Sequence, residues 1–258
     1  MIILLPILAA LSLQATEIKR VPGGDADQGV ASDGHYLYAI GTHSIAQIDP
    51  ATGKQVTRWD GDETQYPHIN SCTMDQKLLV CAGSNFPGLP MRSMIERFEA
   101  KKLNHISTQV LDGDHGSLTW VVQHDGSWWA CFANYDGHGG TPGRDHRYTI
   151  LIRYDRDWQE IGQWHFPAEV MARMAPKSAS GGAWGDDGLL YVTGHDRPEL
   201  YALRVPKEGS TLELVATIAI PTDGQAIGWD PAAPRVLWSI ERKTSELVAS
   251  KIPPVPVN

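Results

Sequence analysis

Asp33-Gly34-His35-Tyr36-Leu37-Tyr38-Ala39-Ile40-Gly41 sets a tight turn directly before a run of aromatic and aliphatic residues. An Asp-Gly pair supplies the left-handed backbone that a short hairpin needs, and the run behind it has the make-up of a buried strand. The device returns at Asp125-Gly126 before Trp128-Trp129 and at Asp187-Gly188 before Leu190-Tyr191-Val192. Looser copies stand at Asp75-Gln76 before Leu78-Leu79-Val80, and at Asp230-Pro231 before Val236-Leu237-Trp238. Five copies of one antiparallel unit, roughly 50 residues apart, are the mark of radial repetition. The expected fold is all-β, a five-bladed β-propeller closed by the N-terminal strand.

Outward from each turn, four strand-like runs fill a copy. The first reads Gln28–Ser32, Tyr36–Gly41, Ser44–Ile48 and Gln55–Trp59, with Asp49-Pro50-Ala51-Thr52-Gly53 as its outer turn. The fifth copy offers only Ala226–Trp229, Val236–Ile240 and Leu247–Ile252 before a Pro-rich tail. Glu17–Val21 can supply the missing outer strand, which would close the ring and remove its free edges. One helix is expected, over Pro167–Met174, with Pro at its start and Glu169 in its first turn.

Residues 1–15 are almost wholly apolar, too short to span a bilayer, and read as a secretory signal; 16–258 then form a single domain. No Lys or Arg precedes the apolar run and Leu13-Gln14-Ala15 is not a small-x-small site, so an uncleaved anchor is the alternative. The expected location is periplasmic or secreted. A net charge of −8 without a basic strip argues against nucleic acid as a partner. Cys72 and Cys81 face one another if Gln76-Lys77 is a hairpin tip; a disulfide and two small buried side chains are both open readings. Cys131 takes the place in the third copy that Cys81 takes in the second.

In such a ring the segments leading into the innermost strands share one rim with the loops that leave the second strands, and the Asp-Gly turns lie beneath. The lead-in segments read Asp27-Gln28-Gly29, Asn70-Ser71, His115-Gly116-Ser117, Ser180-Gly181-Gly182 and Gly224-Gln225. Glycine lets backbones crowd the axis, while Asp27, Gln28, Asn70, Ser180 and Gln225 would ring the channel mouth. Loops starting at Ser84-Asn85 and Asn134-Tyr135 add Ser84, Asn85 and Asn134 as substrate-binding candidates. Small polar residues here can instead satisfy sheet-end backbone groups or hold channel water.

His195, Asp196 and Glu241 are the catalytic candidates. His195 and Glu241 stand where other copies carry Gly41, Gly83 and Ala133, so adjacent blades replace a small residue with an ionisable one. Such a pair could divide general-base and general-acid work, with Asp196 orienting the imidazole. An ion-pair cluster with Arg197, Glu199 and Arg242 is the competing reading. The long loop from Asn134 to Arg147 carries Asp136, His138, Asp145 and His146, types that could hold one divalent metal ion, although no spacing names the metal. A solvated lid is the alternative. Phe86, Leu89 and Met91, in a loop with two prolines, either wall a pocket or pack on a neighbouring blade.

Ala26-Asp27-Gln28-Gly29-Val30, Ser84-Asn85-Phe86-Pro87-Gly88, Ser180-Gly181-Gly182-Ala183-Trp184-Gly185 and Thr193-Gly194-His195-Asp196 resemble a group of exported bacterial propeller proteins often labelled cycloisomerases. The resemblance spans nearly the whole chain after the leader and implies isomerase or lyase chemistry. The chain is also distantly similar to the five-bladed glutaminyl cyclases of plants and bacteria. That family places a Glu at its axis; here no Glu lies in the lead-in segments, and only Glu241 could stand in, which argues against glutaminyl cyclisation. The expectation is an exported enzyme without redox cofactor that acts on a small polar molecule, with a non-catalytic binding propeller as the alternative.

Overall fold

The computed structural model describes residues 13–111 and 113–256, and they form five antiparallel sheets arranged as a β-propeller. Blade one comprises Gly29–Ser32, Leu37–Gly41, Ser44–Ile48 and Gln55–Asp60, from axis to rim. Blade two comprises Ile69–Asp75, Leu78–Ser84, Ser93–Glu99 and Asn104–Leu111. Blade three comprises Ser117–His124, Ser127–Ala133, Ile150–Tyr154 and Glu160–His165, and blade four Gly181–Trp184, Leu190–Thr193, Glu199–Arg204 and Glu213–Ala219. Blade five takes Gly228–Trp229, Val236–Glu241 and Glu246–Lys251 from the C-terminal part of the chain and Thr16–Pro22 from the N-terminal part. The N-terminal strand thus closes the ring, pairing Val21 with Leu247 and Arg20 with Val248.

The innermost strand of blade five is shorter than its composition suggests. Ala226 leaves its own sheet, donates its N–H to Gln28 O at 3.0 Å and bridges Gly29 in parallel, so a backbone link ties blade five to blade one. Gly29 is required there, since a Cβ on it would lie 2.3 Å from Ala226 Cβ. Leu13–Gln14 add to the outer strand of blade four, in parallel with Ile218 and Ala219, and Ala15 is buried behind them. The expected leader otherwise falls on 1–12, outside the described residues. No helix among the described residues is long and apolar enough to cross a membrane.

Apolar side chains fill the wedges between blades. Trp120, Trp129, Leu190, Val192 and Tyr201 form one cluster between blades three and four, and Val170, Met171 and Met174 of the helix Ala168–Met174 plug into it. Burial of that helical face at about 25 cal/mol per Å² explains why a two-turn helix holds its place. Cys72 and Cys81 are directly opposed in the first hairpin of blade two and form a disulfide, with Cα atoms 3.9 Å apart. Cys131 stays a free, buried thiol opposite Trp120.

The hairpin turns on the underside share a second device. Asp33 accepts the backbone N–H of His35 at 2.8 Å and the Tyr38 hydroxyl at 2.9 Å. Asp187 accepts from Leu189 N at 3.2 Å and from the Tyr191 hydroxyl at 2.6 Å, and Asp230 from Ala232 N at 2.9 Å and Trp238 Nε1 at 3.0 Å. One carboxylate oxygen thus shapes the turn while the other anchors an aromatic of the next strand.

Candidate active site

At the opposite rim the lead-in segments converge on a narrow cavity of about 70 Å³. Gln28, Asn70, Ser180, His195 and Gln225 line it, five of the residues singled out from sequence, together with His68, Phe86, Thr119, Tyr135 and Lys177. Phe86 is therefore a pocket wall, packed edge-on between His68 and Tyr135 with ring centroids 5.6 and 5.1 Å away. Leu89 is exposed and lines a separate surface hollow over the loop Gly137–Asp145.

Gln225 sits in backbone that side chains rarely adopt, with φ at +96°. Two bonds to blade four hold it: its N–H donates to Gly194 O at 2.9 Å, and its carbonyl accepts the Thr193 hydroxyl at 2.6 Å. Gly224 makes this approach possible, because a Cβ there would lie 1.7 Å from Gly194 O. Gln225 has a relative exposure of 4%, yet its side-chain amide has no hydrogen-bond partner among the described residues. Strain of this kind costs roughly 1–3 kcal/mol and persists only where the surroundings enforce it.

His195 bonds through Nδ1 to Asp196, and Arg242 Nη1 stands 3.5 Å from the same nitrogen. Nε2 is left without a partner among the described residues. Burial pushes this imidazole below its ordinary value, the Asp196 bond opposes that, and the charges of Arg242 and Lys177 push it further down. His68 has no hydrogen bond on either ring nitrogen among the described residues, and burial lowers it to about 4, with Asp27 opposing and His43 assisting. Both rings are therefore neutral at neutral pH. Burial pushes the Tyr135 phenol up, partly offset by the Ser117 hydroxyl.

The remaining sequence candidates lie elsewhere. Asp27 does not line the cavity, although it reaches the same Thr42 hydroxyl to which Gln28 Nε2 donates at 3.0 Å, and the N–H groups of both residues share the Ile40 carbonyl. Asp27 Oδ2 accepts the Thr42 hydroxyl at 2.9 Å, while Oδ1 is buried without a partner among the described residues. Ser84 is a buried hub whose Oγ accepts from the Ser117 hydroxyl at 2.9 Å and from Asn70 Nδ2 at 3.3 Å. Asn85 folds its own loop, accepting from Arg92 N at 2.6 Å and donating to Pro90 O at 2.9 Å. Asn134 ties down the long blade-three loop through Thr141 N at 2.8 Å and His115 O at 3.0 Å. Asn85 and Asn134 serve backbone groups, and Ser84 accepts Phe86 N at 3.3 Å beside its side-chain partners, the structural role open to small polar residues at sheet ends.

Glu241 ends its strand opposite Glu246, and its carboxylate accepts Lys243 N at 3.3 Å within its own turn. It does not line the cavity, so the expected His195–Glu241 pair is not brought together there. The alternative ion-pair cluster assembles only in part: Asp196 and Arg242 meet at His195, whereas Glu199 is taken by Arg173, through Nε at 2.8 Å, and by the Tyr201 hydroxyl at 2.5 Å. In the long loop Asp136, Asp145 and His146 do gather, with ligand atoms within 4.8 Å of one another, whereas His138 turns to Phe86. All three are already engaged, Asp136 and His146 with each other through Nδ1 at 2.6 Å and Asp145 with Arg147 Nη2 at 2.6 Å.

Sequence reasoning missed His68, Thr119, Tyr135 and Lys177. His68 stands two residues ahead of the Asn70 lead-in, and the alternation of extended chain puts both on the same side; that spacing was the available signal. Lys177 follows the helix, which is seated against Gly194 through Met174, and no pattern in its neighbourhood marks it.

Fold and site together define a five-bladed β-propeller with a small polar cavity at one end of its axis. No protein-family model matches the chain, and no curated protein matches it. Solved structures of similar fold include a luciferin-regenerating enzyme, with a TM-score of 0.52 and 10% identity over 97% of this chain and 96% of that one. The hydrazine synthase of Kuenenia stuttgartiensis gives a TM-score of 0.53 and 10% identity over 88% of this chain and 83% of that one. At such identity the likeness concerns the fold alone.

Proposed function

We propose that this protein is an exported enzyme that moves protons on a small polar substrate in the axial cavity, without a redox cofactor, as an isomerase or lyase does. The observation that carries the reading is two neutral imidazoles with uncommitted ring nitrogens on one small cavity. His195, oriented by Asp196 at Nδ1, presents Nε2 as the proton acceptor. His68 takes the second proton-transfer role in place of Glu241, and the strained Gln225 helps to position the substrate. The proton leaves a substrate carbon for Nε2, its electron pair stays on the substrate, and a proton returns at a second position. Depressed basicity keeps each ring unprotonated at neutral pH, so no prior deprotonation is needed. The cycloisomerase label of the group that this chain resembles agrees with that chemistry, and the apolar run over 1–15 supports export.

The test requires no knowledge of the product. Small carboxylates, lactones and sugars are incubated with the protein in D₂O, and C–H signals are followed by proton NMR. Protein-dependent exchange or conversion of at least one compound is expected, and His195→Ala should slow it about 100-fold or more, the usual contribution of a positioned base. A compound that binds tightly yet keeps every C–H signal would make the propeller a binding protein instead.

A further inference from the structure

Lys177 is the one ammonium on the cavity wall. It makes no ion pair and no hydrogen bond among the described residues, although this chain carries more acidic than basic groups. Asp196 is bonded to the far nitrogen of His195, and Asp27 accepts the Thr42 hydroxyl through Oδ2 while its Oδ1 is buried; neither carboxylate lines the cavity or pairs with Lys177. The same cavity is lined by Gln225, whose side-chain amide has no hydrogen-bond partner among the described residues and is carried by backbone at φ +96° that the contacts with blade four enforce. A lone cation and a pre-set amide beside neutral rings form an arrangement that charge and hydrogen bonding complete with an anion.

We propose that the ligand of the axial cavity is a small carboxylate, its carboxylate group paired with Lys177 and hydrogen-bonded by Gln225. The proposal rests on the preceding reading of the cavity as the functional site and names its substrate class. Carboxylate rather than phosphate follows from the single lysine, with no arginine on the wall. Size agrees: about 70 Å³ is space for about five water-sized volumes, enough for a carboxylate and two or three further atoms. His195 and His68 line the same cavity, so a carboxylate paired with Lys177 would be enclosed together with both rings, and its more acidic C–H lies on the carbon next to the carboxylate.

The experiment reads thermal midpoints with sodium acetate, lactate and pyruvate against acetamide, lactamide and matched sodium chloride. At least one carboxylate should raise the midpoint by about 3 °C at a concentration near ten times its Kd. The amides and the chloride should not. Lys177→Met should remove the rise, and Lys177→Arg should keep part of it. Gln225→Glu, which sets a second negative charge against the ligand, should also remove it. Should Lys177→Met fail to fold, Lys177→Arg and Gln225→Glu carry the test by themselves. Amides that shift the midpoint as much as carboxylates, an undiminished rise in Lys177→Met or Gln225→Glu, or no rise with any of the three carboxylates would overturn the proposal. Failure here is distinct from failure of the catalytic reading: exchange in D₂O on a neutral compound would leave catalysis standing without the carboxylate, and carboxylate binding without exchange would do the reverse.

Discussion

The two ends of the propeller axis differ in how their charged and imidazole groups are engaged. On the underside a hollow of about 360 Å³, roughly five times the upper cavity, opens among Ser32, Asp33, Gln123, Trp184 and Trp229. Its size alone would favour it as a binding site. Yet Asp33 spends both oxygens on its own turn and Tyr38, and Ser32 accepts Gly34 N at 3.1 Å. The indole N–H groups of Trp184 and Trp229 lack partners but are sealed from the surface of the hollow. The upper cavity is smaller, and there His68, Lys177 and Gln225 keep polar groups in hand, at a cost in backbone strain. Committed polar groups make a scaffold, whereas uncommitted ones held at a cost make a site.

The sharpest way to break this contrast is to remove one residue from each end. Asp187 on the underside binds Tyr191 and Arg235, the latter at 2.9 Å, with both charged side chains only 16% exposed. Asp187→Ala removes the carboxylate that pairs with a largely buried guanidinium and accepts the Tyr191 hydroxyl. It leaves Arg235 only backbone carbonyls, Tyr191 and the more distant Asp186, and should cost about 3 kcal/mol. In calorimetry that is a fall in midpoint of about 6–12 °C for a domain of this size. His195→Ala at the upper rim should leave the midpoint nearly unchanged while abolishing exchange. A large loss of stability from His195→Ala, or none from Asp187→Ala, would reverse the assignment of scaffold and site.

Acid titration sharpens the comparison at intermediate size. His68 binds its proton at about 4 in the fold, against about 6.5 in an unfolded chain. As pH falls the unfolded chain is protonated first, so the folded state is fully stable above about pH 6.5, loses stability down to about pH 4, and then levels. The effect is at most about 3 kcal/mol and is reduced by the partial opening of His68 to the cavity. His195 adds a loss of the same sign. Lowered carboxylates such as Asp187 and Glu199 lose stability only at more acid pH. The difference between wild type and His68→Gln therefore isolates the imidazole: denaturant midpoints of the two should diverge between pH 6.5 and 4, with wild type the weaker at the acid end. Parallel curves would mean that His68 is solvated and unsuited to its proposed role.

The two ends were also unequally legible. Asp-Gly turns, the strands behind them and the unfinished fifth copy are local signals, because a left-handed turn and a period of two are dictated by residues close in sequence. They lead directly to the closing strand Thr16–Pro22 and to the helix after Pro167. The cavity is legible only as far as the chain's own alternation reaches. Gln28, Asn70 and Gln225 follow from their place at strand starts. Asp27 does not line the cavity, and its place was not legible because its N–H and that of Gln28 share the Ile40 carbonyl, a bulge that interrupts the alternation. Matching loop positions suggested Glu241 beside His195, yet loop position says nothing about which way a side chain at a strand end leaves the sheet, and Glu241 stays in its own turn. Lys177 arrives through the packing of Met174 against Gly194, a tertiary contact that no pattern of spacing encodes.

The smallest expected effect has the more informative sign. Gln225→Gly removes a side chain from backbone at φ +96°, a conformation that glycine adopts freely. If Gln225 were part of the scaffold, truncating a residue with 4% relative exposure would leave a void and lower stability, as large-to-small changes in buried positions do. If it is held in strain for a ligand, relief of about 1 kcal/mol outweighs the lost packing of a polar side chain with no partner to lose. Stability should then rise by up to about 1 kcal/mol, a few degrees at most in the midpoint, while the carboxylate-induced shift disappears. Gln225→Ala separates the two contributions, since it deletes the amide but keeps the Cβ in the unfavourable conformation, so it should lose the ligand without gaining stability. A gain from glycine alone, with ligand response lost in both, would mark Gln225 as a residue that the fold maintains against its own stability because the site uses it.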